Sequence, residues 1–353
     1  MKTYKSYSLR NYIEIPQIEN LSRGDKKVIE IIGSILPFKT NNYVIDKLIN
    51  WENIPNDPIY TLTFPRKEML KPEHFDKVEQ LISSGKDKDI INNAIYNVRM
   101  ELNPHPAGQK HNVPKIDGIE LTGVQHKYRE TVLFFPSQGQ TCHAYCTFCF
   151  RWPQFVKSGK NLAIMAHFNH PIELSTNEVW DAMQRIRSTG AQIRSQSPLL
   201  KHINDSSAVW ADVWGKQVNL NCIPYYMFLA RDTGAQHFFE IPLVDAWEIF
   251  RNAYQRVSGV CRTVRGPSMS ATPGKVQVLG ISEVNHEKVM VLRFLQGRIP
   301  DWAARPFFAK YDNKAVWLSQ LKPAFGEEKF FFEEELDKIF HEHIYDDEWE
   351  SFE

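Results

Sequence analysis

Three cysteines fall within eight residues of this sequence, Cys142-His143-Ala144-Tyr145-Cys146-Thr147-Phe148-Cys149, with three residues in the first gap and two in the second. Thiolates this close together can ligate three irons of one cubane and leave the fourth iron without a protein ligand. An open iron can be chelated by the amino and carboxylate groups of S-adenosylmethionine (SAM), whose sulfonium is then cleaved by an electron from the cluster. Structural zinc is the rival reading, but it usually takes four ligands in paired knuckles. His143 could be a fourth, yet it adjoins Cys142, which makes simultaneous ligation awkward. A purely structural role for clustered thiols is the bland alternative. A short apolar run just before the loop favours the cluster, because loops that follow strands carry the chemistry of α/β proteins. The spacing therefore predicts a [4Fe–4S] cluster on Cys142, Cys146 and Cys149.

The elements around this loop change character along the chain. KKVIEIIGSIL, KPEHFDKVEQLI and INNAIYNVRMEL carry helix-period apolar positions, so residues 1–130 read as a helical amino-terminal region. That region ends in a turn-rich linker, NPHPAGQKHNVP. From about residue 131 the pattern alternates between strands and helices. TVLFFP (131–136), LAIMAHF, AQIRSQSPLL and NCIPYYMF are strand candidates, with helices expected at 179–186, 209–218 and 243–257. Ser175-Thr176-Asn177-Glu178 reads as a capping box for the first of these helices, and Gly190 as its end. Such alternation implies parallel strands joined by crossover helices. KVQVLGI and KVMVLRFL read as an antiparallel pair outside that parallel unit, and the aromatic, acidic tail from Gly326 as a docking helix with a solvated end.

Composition bounds the function classes. Lys plus Arg equals Asp plus Glu at 42 each, so there is no electrostatic footprint for nucleic acid or an anionic membrane. Apolar residues make up 42% of the 353 and charged residues 24%, enough for a buried core. The amino terminus has no continuous apolar stretch, no segment approaches a membrane span, and the expected location is cytoplasmic. Five cysteines are too few for a disulfide scaffold, and Cys222 and Cys261 stand alone.

Several stretches occur together, in order, over roughly residues 100–295: the cysteine loop with Arg151, AHFNHPIEL, RSQSPLLKHIND, PYYMF with DTGAQHF, VSG, and PGK. In these the sequence resembles the radical SAM superfamily, and within it the lysine 2,3-aminomutase family. The resemblance implies a partial (β/α) barrel with its active site at the carboxyl ends of the strands. It implies generation of a 5′-deoxyadenosyl radical acting on a small amino-acid-like substrate, and an electron donor such as flavodoxin or ferredoxin. Carried over, Arg151 holds the substrate carboxylate, Phe148 packs the SAM adenine and Gln196 contacts SAM. Lys275, in Thr272-Pro273-Gly274-Lys275, falls where the family lysine attaches to pyridoxal phosphate (PLP). Its neighbourhood departs from the pattern. One glycine replaces a glycine run, Ser268 stands where an aspartate recognises the lysine side chain, and Thr131 falls near an expected phosphate-binding arginine.

The interval after the cysteines departs further. Only residues 152–161 separate Arg151 from the next strand candidate, too few for a crossover helix. The family's glycine-rich strand end for the SAM amino group has no counterpart, and 155–160 reads as a splice between distant segments. The expectation is thus an α/β chain with a helical amino-terminal region (1–130), a partial radical SAM barrel lacking internal strand–helix units (131–265), and a small carboxy-terminal β/α extension (266–353). Its enzymatic reading is an aminomutase-like isomerase. The alternatives are a PLP-independent radical SAM enzyme of the same lineage, or an impaired deletion variant that binds only iron–sulfur. Homo-oligomerisation is left open.

Overall fold

A computed structural model describes residues 4–102, 113–116, 119–121, 124–128, 131–134, 163–231 and 233–345. Arg151, Phe148, the three clustered cysteines and the junction at 155–160 lie outside the described residues.

The amino-terminal part opens with β1 (Ser6–Ser8) and α1 (Arg23–Ile35), followed by β2 (Lys39–Asn41), which pairs antiparallel with β1. The α1 helix starts where Ser22 accepts from the Asp25 amide, and its Ile31, Ile32 and Ile35 are buried. Next come α2 (Pro58–Thr63), α3 (Pro72–Ser83) and α4 (Lys88–Glu101). Asp57 caps α2 by accepting from the Tyr60 amide at 2.7 Å, which satisfies one of the donors a helix start leaves orphaned. Phe75, Val78 and Val98 of α3 and α4 close over the α1 isoleucines. Two short hairpins follow, β3 (Lys115–Ile116) with β4 (Ile119–Glu120), and β5 (Val124–Tyr128) with β6 (Thr131–Phe134). The strand read from TVLFFP is therefore present as β6. Among the described residues, however, it pairs with β5 rather than leading the parallel set.

The parallel set begins at β7 (Ala163–His167), then α5 (Asn177–Arg187), β8 (Gln192–Leu199), α6 (Ser207–Asn219), β9 (Ile223–Leu229), α7 (Gln236–Phe239), α8 (Leu243–Arg256) and β10 (Arg265–Ser270). Strands β7 to β10 are mutually parallel neighbours. The chain then turns into β11 (Gly274–Val284), β12 (Glu287–Gly297) and β13 (Pro306–Lys310), each antiparallel to its predecessor. All seven form one mixed sheet in the order β13-β12-β11-β10-β9-β8-β7. The pair β11–β12 forms as its sequence predicts, but as a continuation of the parallel strands rather than outside them. The link is β10, whose RGPSMS has no strand-like alternation and carries no sequence expectation of a strand. Gly266 makes it possible: a Cβ there would sit 2.7 Å from the Met227 carbonyl, so only glycine lets β10 lie this close to β9.

One face of the sheet is covered by helices. Trp210 and Trp214 of α6, Ala246 and Ala253 of α8, and Met183 of α5 pack with Ile193, Met227, Val276, Val278 and Phe294 from the strands. Phe330 and Phe332 join this core ahead of the last helix, α9 (Glu333–Tyr345). There the Trp302 indole donates to Glu335 at 2.6 Å. On the other face, Leu62 and Met69 from the amino-terminal part pack with Leu200, Ile203, Tyr226, Phe228 and Phe239. Among the described residues no helix is long and apolar enough to cross a membrane.

Candidate active site

The face opposite the helices carries the polar side chains. Alternation along β8 sends Ile193, Ser195 and Ser197 to the helix side, where the Ser195 hydroxyl donates to Gln217 of α6 at 2.8 Å. Arg194 and Gln196 take the other face. Register then aligns His167 of β7 with Gln196, Gln196 with Tyr226 of β9, and Tyr226 with Arg265 of β10. Four consecutive parallel strands thus contribute one residue each to a single cross-strand row. His167 ends its strand, as its sequence position suggests. Ser195–Ser197 and Tyr225–Tyr226 lie within β8 and β9, because Pro198–Leu199 and Met227–Leu229 continue the pairing beyond them.

Lys275 comes to this row from β11. The turn preceding it closes with Ala271 and Gly274 exchanging backbone hydrogen bonds at 2.9 and 3.2 Å, and Arg298 donates to the Thr272 carbonyl at 2.9 Å. Gly274 is sterically required: a Cβ would collide with the Gln296 carbonyl and lie 3.0 Å from the Gly297 Cα. The single glycine left in this loop is therefore the one that lets β11 meet β12. Lys275 Nζ donates to Gln296 Oε1 at 2.9 Å and stands 4.7 Å from the centroid of the Tyr226 ring. Burial, and after it the Arg265 charge, push its amine down to about 8. At pH 7 roughly a tenth is then the neutral, nucleophilic amine, far more than for an ordinary lysine, and this is the form that attacks carbonyl carbon. Ser268, where a side-chain-binding carboxylate would be expected, is buried and donates to the Met227 carbonyl at 3.3 Å.

The loop after β7 is held by a carboxylate. Glu173 Oε2 accepts from the amides of Asn169 at 2.5 Å and His170 at 2.8 Å, while Asn169 Oδ1 meets His167 Nε2 at 3.0 Å. Asn204 bridges the Asn169 and Pro198 carbonyls at 2.8 and 3.0 Å, and Ser197 donates to the Phe168 carbonyl. Desolvation pushes Glu173 up to about 7 and His170 down to about 4. The capping box lies here, on His170 and Glu173. It is not at Ser175: Thr176 caps α5, and the Ser175 hydroxyl donates to the Pro171 carbonyl instead.

The comparisons with known proteins agree with these motifs. A protein of Aquifex aeolicus provisionally named L-lysine 2,3-aminomutase is 24% identical, over 91% of this chain and 97% of its own length. The L-lysine 2,3-aminomutase of Clostridium subterminale is 30% identical over 140 residues, 39% of this chain and 33% of its own length. That of Escherichia coli is 29% identical over 106 residues. In sequence the chain is similar to these proteins named L-lysine 2,3-aminomutase. No family model matches it. The chain aligns with the Aquifex protein over 407 positions, more than its own 353 residues, so the relative has residues without a counterpart here. With the Clostridium enzyme, the matched stretch spans about a third of the relative's length.

The structure brings Gln196 and Lys275 to the same sheet face. Sequence reasoning missed Arg265, Gln296 and Glu173. Arg265 was hidden because β10 lacks a strand pattern, and Gln296 because only the β11–β12 register makes it the partner of Lys275. Glu173 lies inside the AHFNHPIEL stretch, where nothing in the sequence marks it as the residue that holds the loop. Among the described residues no group of three or more His, Cys, Asp or Glu side chains is placed to hold a metal ion, and Cys222 and Cys261 are buried free thiols.

Proposed function

We propose that this chain is a radical SAM enzyme of the lysine 2,3-aminomutase type, carrying a [4Fe–4S] cluster on Cys142, Cys146 and Cys149 and acting on an amino-acid-like substrate. The observation that carries the PLP part of this reading is the Lys275 amine. It is fixed by a steric glycine turn on a polar sheet face, its pKa depressed to about 8, in one neighbourhood with Gln196. When bound, the cluster with SAM supplies hydrogen abstraction, and PLP supplies a carrier for the migrating amino group.

The chain's own residues have separate tasks in this scheme. Lys275 presents a neutral amine for covalent attachment of PLP, and Gln296 Oε1 orients it. Gln196 faces SAM, Phe148 packs the adenine and Arg151 holds the substrate carboxylate through its guanidinium fork. Buried Ser268 offers no countercharge to a cationic side chain, so lysine is disfavoured as substrate. The reductant is a flavodoxin- or ferredoxin-like donor, and the location is cytoplasmic.

The architecture behind this reading is a shortened radical SAM barrel in three parts, residues 1–130, 131–265 and 266–353. Four parallel strands, an edge strand β7 that pairs only with β8 among the described residues, and the surplus positions of the Aquifex relative support it. The reduced glycine run and Ser268 favour a second reading, a PLP-independent enzyme of the same lineage. One experiment separates the readings. The anaerobically reconstituted chain is treated with PLP and borohydride and peptide-mapped, and in parallel with SAM and dithionite. Label on Lys275 together with 5′-deoxyadenosine supports the first reading. 5′-Deoxyadenosine without label supports the second, and neither product indicates a deletion variant that binds only iron–sulfur.

A further inference from the structure

The polar face of the sheet is strongly cationic in a chain whose net charge is zero. Arg194 and Arg265 each stand 4.7 Å from the centroid of the Tyr225 ring, and Arg265 also stands 5.8 Å from that of Tyr226. An Arg265 guanidinium nitrogen donates to the Tyr226 hydroxyl at 3.5 Å, and Lys275 Nζ approaches the same ring from β11. Apart from Glu283 and Glu287 in the distal hairpin, no residue of β7 to β12 is acidic. Cations gathered within about a Debye length of one another repel, and aromatic faces offset only part of that cost. Such a cluster is most stable when an anion completes it.

We propose that Arg265, held against Tyr225 and Tyr226 beside Lys275, is the cation that receives the phosphate group of PLP in this chain. The inference rests on the assignment of Lys275 as the attachment point and adds the residue that fixes the other end of the cofactor. A phosphate monoester is a dianion with three acceptor oxygens, and a guanidinium braced by two rings presents a fork of donors with little rotamer freedom left to lose. Lys275 and Arg265 flank the same Tyr226 ring, so a cofactor attached at one has its charged group near the other. Arg194, on the far side of Tyr225, adds to the positive field without sharing that ring.

The test compares PLP with pyridoxal, which has the same aldehyde and no phosphate, by absorbance titration and borohydride fixation on the full-length chain. The parent should bind PLP far more tightly than pyridoxal. Arg265→Gln should weaken PLP by roughly 10- to 100-fold, the range for a charge-assisted hydrogen-bonded contact, and leave pyridoxal unchanged. Arg265→Lys should fall between the two. Arg262→Gln, which removes an exposed cation resting on Tyr254, should change neither titration, and circular dichroism of each variant checks the fold. Equal loss of PLP and pyridoxal in Arg265→Gln, or unchanged PLP affinity, overturns the assignment of Arg265 while Lys275 stands. Absence of any borohydride-fixed label on Lys275 in the parent overturns the Lys275 reading itself, and Arg265 with it.

Discussion

Glu173→Gln should change how stability depends on pH, by an amount the structure sets. The Glu173 carboxyl is buried and held at about 7 against an ordinary 4.5. Between those values the folded chain keeps a proton that the unfolded chain has released, so stability falls as pH rises through this window. At about 1.4 kcal/mol per unit the fall is about 3 kcal/mol. His170 works in the opposite sense. Burial holds it down to about 4 against 6.5, so between those values the unfolded chain binds the extra proton and stability rises with pH. In the parent the two slopes largely cancel from about pH 4.5 to 6.5, and the remaining Glu173 loss falls between 6.5 and 7. Glutamine keeps the oxygen that accepts from Asn169 and His170 but cannot ionise. Its new amide donors, if unpaired, cost about 1–3 kcal/mol independently of pH. Urea denaturation in steps from pH 4.5 to 8.5 should therefore show the variant gaining roughly 3 kcal/mol on the parent across the range. A difference between the two proteins that stays constant with pH would refute the buried-carboxyl account.

Gly274→Ala should cost about 1–3 kcal/mol, because β12 must move to clear the new Cβ; a lowered thermal midpoint and reduced labelling of Lys275 would register it, and unchanged values would not fit the collision with Gln296. Lys275→Ala should abolish borohydride-fixed PLP while leaving iron content unchanged, because the two cofactors have separate ligands. A hybrid with a relative's segment inserted between Val156 and Lys157 should melt higher and cleave more SAM than the chain as it stands. Equal melting and equal cleavage would show that the short interval is no handicap.

What was legible in the sequence follows what was local. Helices α1, α3, α4, α6 and α8 have long apolar stripes, and each formed where its period placed it. Strands β7, β8 and β9 could be read because apolar runs bounded by turn residues are strong signals. What escaped depends on contacts distant in sequence. RGPSMS becomes a strand only because Gly266 lets it close on Met227. The row from His167 to Arg265 exists only through register, which no single strand encodes. The capping box moved from Ser175 to His170 because Thr176 competes as the cap of α5 and Glu173 is drawn to the Asn169 and His170 amides. Lys275 was identified by its motif alone, and its depressed pKa comes from burial and from Arg265, a residue with no motif of its own.

The central claim is the iron–sulfur centre, and metal and sulfide analysis of the anaerobically reconstituted chain tests it most directly. About four irons and four sulfides per chain are expected, lost on replacing Cys142, Cys146 or Cys149 with Ala and retained in Cys222→Ala and Cys261→Ala. A single zinc without sulfide, bound by the same three cysteines, would contradict it.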